Sequence, residues 1–355
     1  MRIIRLGCLA LLGTALVVAL GVSLAPFVAT TWWVVRLLDF PRLQFGIATL
    51  ALLGLLPVFA RRHPRVVLAL AAAGLVALGA DVAVLWPYRG LGAAIRTGAT
   101  CPEDRRLTVM IANVLLTNRQ SRTLLDEVRA EKPDLFLAME VDDWWDRTLE
   151  PLAAEMPETA KRITGSYYGI RLFSRLPLVA PEIRFLAGRD TPSVVTGVRL
   201  RDGGTFTFLG LHPRPPLPGQ SALPRDAELY AAGHLLGERG GAAVLAGDLN
   251  ATPWEDAVER LRRISGLLDP RRGRGFVYSF EARSWWAKWP LDQLFHGPAF
   301  ALVSLARLEP IGSDHYPVVA RFCHDPGVRP LSPPPESDDD RDRIGEADRA
   351  AGAVP

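Results

Sequence analysis

The sequence has little net charge, and its first hundred positions contain almost no acidic residues. The formal net charge is only +3 over 355 residues, which excludes a uniformly basic nucleic-acid binder and a long acidic disordered chain. The first hundred residues hold nine arginines but only two acids, Asp39 and Asp81. Residues 101–324 carry 28 basic and 28 acidic side chains, whereas residues 325–355 carry four basic and eight acidic ones. The average composition looks ordinary only because it combines three segments, of which the first is basic, the second is balanced and the third is acidic.

Three long apolar runs occupy the first segment, at Leu6–Ala29, Leu43–Ala60 and Val66–Trp86. Each approaches the roughly 20 residues that cross a bilayer core, and the only charge in them is Asp81. Because the runs lack the amphipathic period of helices buried in a soluble core, we predict a membrane anchor of three transmembrane helices over residues 1–100. A cleaved signal peptide is the alternative for the first run, which exceeds the usual signal core of about 7–15 residues.

The arginines of this segment give a weak orientation signal through the positive-inside rule. Five favour a cytoplasmic N-terminus and four oppose it: Arg2, Arg5, Arg61, Arg62 and Arg65 against Arg36, Arg42, Arg89 and Arg96. Three crossings then put the chain from residue 100 onward outside the cytoplasm, in a multi-pass protein of the cell membrane. Asp81 is expected to reach the lipid headgroups rather than to act as a functional intramembrane carboxylate.

Strand-like runs alternate with amphipathic helices over residues 101–324, without an internal repeat. This length suits one layered α/β domain. The predicted strands are Leu107–Asn113, Asp134–Met139, Tyr168–Ser174, Val194–Leu200, Thr205–Leu211, Ala243–Ala246 and Tyr316–Phe322. The predicted helices are Ser121 to about Glu131, about Arg225–Glu238, and Trp254–Arg263. Residues 325–355 combine Pro, Ser and acids with almost no apolar content, and we expect this tail to be disordered.

Polar side chains stand at the C-terminal ends of several predicted strands, the edge where sites form in layered α/β folds. Each alone has an ordinary explanation as a turn residue, a helix cap or a packed histidine. Together they supply oxygen ligands for a hard cation and two histidines for proton transfer, the parts that hydrolyse a phosphate ester. The residues are Asn113, Glu140, His212, Asp248, Asn250, Asp292, Asp314 and His315.

The segments around these residues resemble the endonuclease/exonuclease/phosphatase superfamily, which includes DNase I-like nucleases, abasic-site endonucleases, neutral sphingomyelinases and inositol polyphosphate phosphatases. The resemblance covers about Leu107–Phe322 and rests on IANV, AMEV, YYGIRLFSRLP, LGLHP, LAGDLNATPW, LDQLF and GSDHYPV, in the family's order and spacing. It implies a DNase I-like four-layer α/β sandwich, in which helices flank two packed sheets. The segments HPRPP and TPW are similar to a bacterial membrane-anchored subgroup.

The resemblance implies a metal site. Glu140 matches the acid that binds the divalent ion, Mg²⁺ or Mn²⁺. Asn113 matches the Asn beside it, and Asp314 matches an acid that is sometimes a second ligand. Mg²⁺ prefers oxygen ligands and keeps several waters, so one or two carboxylates suffice. Two positions depart from the family pattern: Leu115 replaces an Asp or Asn, and Met139 replaces a Gln. The first weakens the case for a second metal ion near Asn113.

The resemblance also implies catalytic roles. Asp248 matches the residue that positions or deprotonates the attacking water, and Asn250 matches the residue that orients the phosphate. His212 is expected to contact the phosphate oxygens or the leaving group. His315 is expected to contact the phosphate, while Asp292 orients its imidazole and favours the charged form. Water would attack in line, without a covalent enzyme intermediate.

The substrate is less constrained than the chemistry. A neutral domain argues against tight, non-specific binding of duplex DNA, and we expect the arginines of 271–274 to lie in a solvated loop. Three roles remain open for Trp285, Trp286 and Trp289: stacking on a base, gripping a lipid, or packing. The phosphoester partner is therefore a lipid, a small molecule or a nucleic acid, and no protein partner is indicated.

We expect a membrane-anchored, metal-dependent phosphoesterase. The alternatives are a membrane-tethered endo- or exonuclease acting on DNA or RNA, and an inactive membrane sensor that keeps the fold. A transporter with a soluble appendage has little support, because the spans contain only one charge. Cys101 and Cys323 bracket the catalytic domain, and we hypothesise that they form a disulfide in an oxidising compartment. Cys8 is expected to pack within the first run.

Overall fold

The computed structural model describes residues 2–90, 100–325, 327 and 337–353. The chain divides into two compact units, Met1–Arg89 with Leu217–Ser221, and Gly90–Pro216 with Ala222–Pro355. Arg96, which entered the orientation argument, and the proline-rich part of the tail lie outside the described residues.

The first unit is helical. Its helices are α1 (Arg2–Leu24), α2 (Trp33–Leu37), α3 (Arg42–Leu55), α4 (Pro57–Ala60) and α5 (Pro64–Leu85). Three segments are long and apolar enough to cross a membrane, namely Ile3–Phe27, Arg42–Ala60 and Pro64–Tyr88. They coincide with the three predicted apolar runs to within a few residues.

Helices α1, α3 and α5 pack through a small apolar cluster that includes Leu12, Leu16 and Leu56. Gly74 makes this approach possible, because a Cβ there would lie 2.6 Å from a methyl carbon of Leu53. Cys8 is exposed on α1.

Charged side chains lie buried in the first unit instead of reaching outward. Asp81, only 1% exposed, accepts hydrogen bonds from Ser23 at 2.8 Å and Arg42 at 3.2 Å. Arg42 also donates to Asp39 at 3.0 Å, and Arg36 lies 3.4 Å from the same carboxylate. The expectation that Asp81 reaches headgroups is therefore wrong, because pairing with arginine offsets much of the cost of burying its charge.

The second unit contains two mixed sheets. Its strands are β1 (Arg106–Asn113), β2 (Leu135–Met139), β3 (Glu158–Arg162), β4 (Ile170–Ser174), β5 (Leu178–Phe185), β6 (Pro192–Arg199), β7 (Thr205–Gly210), β8 (Ala243–Asp248), β9 (Asp292–His296), β10 (Phe300–Arg307) and β11 (Val318–His324). The six-stranded sheet has the order β10-β11-β1-β2-β4-β3, and the five-stranded sheet has the order β5-β6-β7-β8-β9. Its helices are α6 (Arg122–Glu131), α7 (Asp143–Leu149), α8 (Leu223–Arg239), α9 (Asp256–Ser265) and α10 (Asp338–Ala353).

The sheets pack face to face because strand side chains alternate between two apolar environments. Val109 and Ile111 of β1 meet the β8 residue Val244 in the central core. The intervening residues Met110 and Ala112 face α6 and α7 instead, while α8 and α9 cover the outer face of the five-stranded sheet. This arrangement of helices, sheet, sheet and helices confirms the four-layer α/β sandwich.

Four strands of the sandwich have no predicted range, namely β3, β5, β9 and β10, and all four lie at sheet edges. Most residues of β3 and β5 are exposed or half-buried. An edge strand with one covered face needs little apolar sequence, so neither segment has a strong strand pattern.

The tail contains a helix, α10, where we expected disorder. Asp340 accepts hydrogen bonds from Arg260 and Arg263 of α9, and Asp339 pairs with Arg260. Ile344 packs on the apolar cluster formed with α8 and α9. The prediction fails for residues 338–353 because the acids that make the tail polar are neutralised by arginines distant in sequence.

Cys101 and Cys323 form the hypothesised disulfide, with their Cα atoms 5.7 Å apart. The pairing follows from the sheet, because β1 runs antiparallel to β11 with Arg106 opposite Cys323. The disulfide therefore joins the segment before the first strand to the last strand.

Candidate active site

The polar residues predicted from the sequence meet at one edge of the sandwich. Asn113 ends β1 in one sheet and Asp248 ends β8 in the other, with Asp292 opposite Asp248 in the β8–β9 ladder. Glu140 directly follows β2, and His212 follows β7. The parallel pairs β1–β2 and β7–β8 bring these strand ends to the same edge.

Asp248 is the centre of the cluster and is 1% exposed. Its Oδ2 accepts a hydrogen bond from Asn113 Nδ2 at 3.1 Å and lies 3.4 Å from His315 Nε2 and 3.7 Å from His212 Nε2. Its Oδ1 accepts from the Asn250 amide at 2.9 Å. Burial alone would raise the pKa of Asp248, but the two histidines and these hydrogen bonds lower it below its ordinary value.

His315 is held by Asp292. The imidazole Nδ1 lies 2.7 Å from Asp292 Oδ2, and both side chains are buried. Burial opposes the charge on His315, but Asp292 and Asp248 raise the pKa of the imidazole well above its ordinary value. Burial also raises the pKa of Asp292, partly offset by His315. The arrangement keeps a proton on His315 with Nε2 directed at Asp248.

The chain around this pair is anchored by hydroxyl groups. Ser313 donates to the carbonyl of Asn113 at 2.8 Å and accepts from the amide of His315 at 3.0 Å. Ser279 accepts from the amide of Asp292 at 3.0 Å. The Ser313 bonds connect the end of β1 to the loop that carries His315, and the Ser279 bond connects the start of β9 to the segment that precedes it.

Backbone strain concentrates at the same place. Leu115, Glu140 and Asn250 are three of the five described non-glycine residues with positive φ, at 60°, 62° and 49°. Each such conformation costs about 1–2 kcal/mol. Gly247, with φ of 152°, comes so close to the Leu211 carbonyl that any Cβ would clash at 1.8 Å. The cluster is thus held by the surrounding fold in conformations that isolated residues disfavour.

A family model for the endonuclease/exonuclease/phosphatase family matches residues 110–315, a span that contains every residue of the cluster. The chain belongs to this family. No curated protein matches the sequence. The family's hydrolase fold is therefore established here by the model match and by solved structures.

Solved structures with the same fold share little sequence with this chain. D. rerio TDP2 complexed with a single-strand DNA product has 15% identity and a TM-score of 0.53, covering 61% of this chain and 98% of its own. The human Nocturnin catalytic domain with bound sulfate has 19% identity and a TM-score of 0.53, covering 63% and 96%. At these identities both similarities show the fold alone.

The metal ligands expected for the family are only partly brought together. Glu140 Oε1 accepts from Asn113 Nδ2 at 2.9 Å, and its Oε2 accepts from the Leu116 amide at 2.9 Å. The oxygen of Asn113 accepts from the Leu115 amide at 3.0 Å, so the amide group of Asn113 turns its nitrogen toward the carboxylates. Asn113 therefore bridges the carboxylates of Glu140 and Asp248 through its nitrogen, and its oxygen does not face them as a metal ligand would.

Asp314 contacts Arg283 and Ser313. Its carboxylate lies 3.3 Å from Arg283 and accepts from Ser313 at 3.3 Å. The ligand atoms of Asp248, Asp292 and His315 lie within 4.8 Å of one another instead. In that group Nδ1 of His315 is bonded to Asp292 at 2.7 Å, and Nε2 lies 3.4 Å from Asp248. The carboxylates of Glu140 and Asp248 offer the hard oxygen donors that fit a divalent cation.

Two residues near the cluster were missed by sequence reasoning. The Tyr168 ring lies 5.8 Å from that of His212, and the Arg214 guanidinium lies 5.6 Å from the Tyr168 ring while pairing with Asp190. Tyr168 and Arg214 stand inside the quoted segments YYGIRLFSRLP and HPRPP. Their position in those family-like segments is the feature of the sequence that could have identified them as site residues.

The departure at Met139 has a structural counterpart. The sulfur of Met139 lies 3.1 Å from the backbone nitrogen of Asp248 and accepts its hydrogen bond. A thioether is a weak acceptor, but here it receives the hydrogen bond of the Asp248 backbone amide in a buried position. The residue therefore supports the cluster although it differs from the common Gln.

Proposed function

We propose that the chain is a membrane-anchored, divalent-metal-dependent phosphoesterase that hydrolyses a phosphodiester or phosphomonoester by in-line attack of water. The observation that carries the proposal is the buried carboxylate of Asp248, which lies 3.4 Å and 3.7 Å from two histidines. A buried anion beside a protonated imidazole supplies a proton acceptor and a positively charged donor within one site.

Each side chain of the cluster has a role in this reaction. Asp248, kept ionised by its neighbours, orients the attacking water and accepts its proton. His315, kept protonated by Asp292, donates to a phosphoryl oxygen and stabilises the charge that grows there in the transition state. His212 faces the same carboxylate and contacts the phosphate oxygens or the leaving group, while Asn250 orients the phosphate.

Glu140 is the residue that would hold the metal, with Asp248 nearby and Asn113 bridging the two carboxylates. The carboxylate oxygens match the preference of Mg²⁺, and Mn²⁺ accepts the same donors. The bound ion would polarise the phosphoryl group and offset negative charge.

Membrane anchoring is supported by the three long apolar segments of the first unit. Arg36 and Arg42 opposed a cytoplasmic N-terminus in the sequence argument, but both lie buried beside Asp39, and Arg42 also pairs with Asp81. The positive-inside rule counts basic residues whatever acids accompany them, so the count of five arginines against four remains the signal for a catalytic domain outside the cytoplasm.

The disulfide between Cys101 and Cys323 supports the same location, because disulfides persist in oxidising compartments. A topology reporter fused after residue 324 tests the orientation. Signal from an extracytoplasmic reporter supports a catalytic domain outside the cytoplasm. Signal from a cytoplasmic reporter alone would place the domain inside the cytoplasm.

Activity is tested with the full chain in lipid nanodiscs, with Mg²⁺, with Mn²⁺ and with chelator. The substrates are bis-(p-nitrophenyl) phosphate, phospholipids, inositol phosphates, single- and double-stranded DNA, and RNA. His315→Ala and Asp248→Asn should each lower the rate on the best substrate at least about 100-fold. Asp126→Asn, an exposed acid on α6, is the matched control and should retain the wild-type rate.

The panel also separates the alternatives. Hydrolysis confined to DNA or RNA identifies a membrane-tethered nuclease. Absence of metal-dependent hydrolysis on every substrate favours an inactive sensor, and near-wild-type rates in both site variants contradict the assigned roles.

A further inference from the structure

A tryptophan-tipped hairpin projects beside the candidate active site. Phe280 and Trp289 pair in both directions, with Phe280 N donating to Trp289 O at 2.9 Å and Trp289 N donating to Phe280 O at 2.5 Å. Between them stand Trp285, 90% exposed, and Trp286, 54% exposed. No other large apolar side chain in the described part of the second unit is more than 50% exposed. Exposed indoles of this kind indicate a binding surface.

The hairpin is coupled to the catalytic cluster by short contacts at its base. The ring of Phe280 lies 4.8 Å from that of His315. The Ala282 amide donates to the Asp314 carbonyl at 2.6 Å, and Arg283 lies 3.3 Å from the Asp314 carboxylate. The base of the hairpin therefore contacts both His315 and Asp314.

Two cations lie beside this hairpin. Lys288 donates to the carbonyls of Glu281 and Ala282 and lies 5.0 Å from the Tyr316 ring. Arg307 stacks 4.2 Å from the same ring. Within the described residues neither cation pairs with a carboxylate, so neither charge is neutralised, although Lys288 donates to two carbonyls and to the Tyr316 hydroxyl.

We propose that Trp285, Trp286, Lys288 and Arg307 form a docking surface for a bilayer containing anionic lipids, which presents lipid phosphodiesters to His315. The inference rests on the proposed function and names its substrate class. Indoles insert at the boundary between headgroups and acyl chains, while Lys and Arg attract anionic headgroups. A bilayer held by the chain's own apolar helices would remain at high local concentration for this surface.

A nucleic acid fits this surface less well. Single-stranded nucleic acids are bound in positively charged grooves that follow several phosphates. Residues 101–324 carry 28 basic and 28 acidic side chains, and the tip offers a projecting pair of indoles with two cations. That composition matches a membrane interface.

The first test measures contact with the bilayer. The full chain is placed in nanodiscs of phosphatidylcholine with phosphatidylglycerol, with and without brominated acyl chains, and tryptophan fluorescence is recorded. Trp285→Phe removes one of nine indoles while keeping an aromatic ring. The bromine-quenched fraction of the fluorescence should fall in this variant. An unchanged quenched fraction overturns the proposal.

The second test measures function through the ratio of two rates, on phospholipid in the disc and on soluble bis-(p-nitrophenyl) phosphate. The variant Trp285→Ala/Trp286→Ala should lower the ratio at least about ten-fold, equivalent to about 1.4 kcal/mol. Phe185→Ala, which removes an aromatic side chain 41% exposed on β5, is the matched control and should leave the ratio unchanged. Omitting phosphatidylglycerol should lower the wild-type ratio in the same direction.

A ratio that stays constant because both rates fall together overturns the proposal, since the hairpin would then act only by supporting His315. Quenching of Trp285 by a single-stranded oligonucleotide instead of the brominated lipid also overturns it and identifies a nucleic-acid surface. If wild-type protein hydrolyses nothing, the proposed function fails, whereas the bromine experiment still decides whether the hairpin contacts lipid.

Discussion

Glu228 on α8 should make the stability of the protein fall as the pH rises toward 8. Its carboxyl group is 1% exposed. Burial raises its pKa from 4.5 to about 8, although hydrogen bonds from Thr191 and Ser193 and the charge of Arg214 oppose the shift. Folding therefore takes up a proton between these two pKa values, because the unfolded chain leaves the group ionised there.

The sign and size follow from that proton. The stabilisation is fully present below the unfolded pKa and is lost as the pH rises through the folded pKa, at up to about 1.4 kcal/mol per pH unit. Between pH 6 and pH 8 the loss amounts to about 2 kcal/mol. For a domain of this size the corresponding fall in Tm is about 4–8 °C.

The assay compares thermal unfolding of wild type and Glu228→Gln at pH 6, 7 and 8, with the full chain in nanodiscs. The isosteric amide stays neutral, so the variant should lack this component of the pH dependence. Glu238→Gln, an exposed position on the same helix, should follow the wild type. Parallel curves for wild type and Glu228→Gln would refute the reasoning, since Glu228 would then be ionised in the folded protein.

Three further substitutions probe the rest of the molecule. Asp292→Asn should lower kcat at least about 100-fold in steady-state kinetics with a smaller change in KM, because the amide no longer holds a positive charge on His315. Arg260→Ala should release α10 and speed hydrogen exchange over 338–353, because both acids at the start of that helix lose a partner. Asp81→Leu should destabilise the first unit by about 2 kcal/mol in thermal unfolding, because Arg42 loses a buried acceptor.

Each of these expectations has a contrary result. A wild-type kcat in Asp292→Asn would separate His315 from catalysis. Arg239→Ala, at the exposed end of α8, is the control for α10, and equal exchange in the Arg239 and Arg260 variants would contradict the ion-pair account. An unchanged unfolding transition in Asp81→Leu would mean that Asp39 alone satisfies Arg42.

The buried strands could be predicted because burial on both faces leaves a continuous apolar run. The residues of β2 and β8 are all buried, and both strands appear in the prediction to within a residue or two. The edges could not be predicted in the same way. The exposed residues of β3 and β5 belong to the sheets through backbone hydrogen bonds, which every residue type except proline can make.

The residues of the candidate site could be predicted from the sequence, but the orientations and partners of their side chains could not. Motif order identified Asp248, His315 and Asp292, and these three meet in the structure. Motifs do not state which way a side chain turns. The nitrogen of Asn113 faces the carboxylates, and Asp314 pairs with Arg283 because the hairpin brings that arginine to it.

Three apolar helices, the alternation that builds a layered domain, and polar residues at strand ends all follow from the sequence alone. These features depend on near neighbours in the chain, whose spacing a sequence states directly. The pairing of charges, in contrast, depends on how the chain folds. Asp81 finds Arg42 in another helix, and Asp340 holds the tail against Arg260 and Arg263. Such pairs join residues separated by 39 to 80 positions, and their partners are set by the packing of the whole chain.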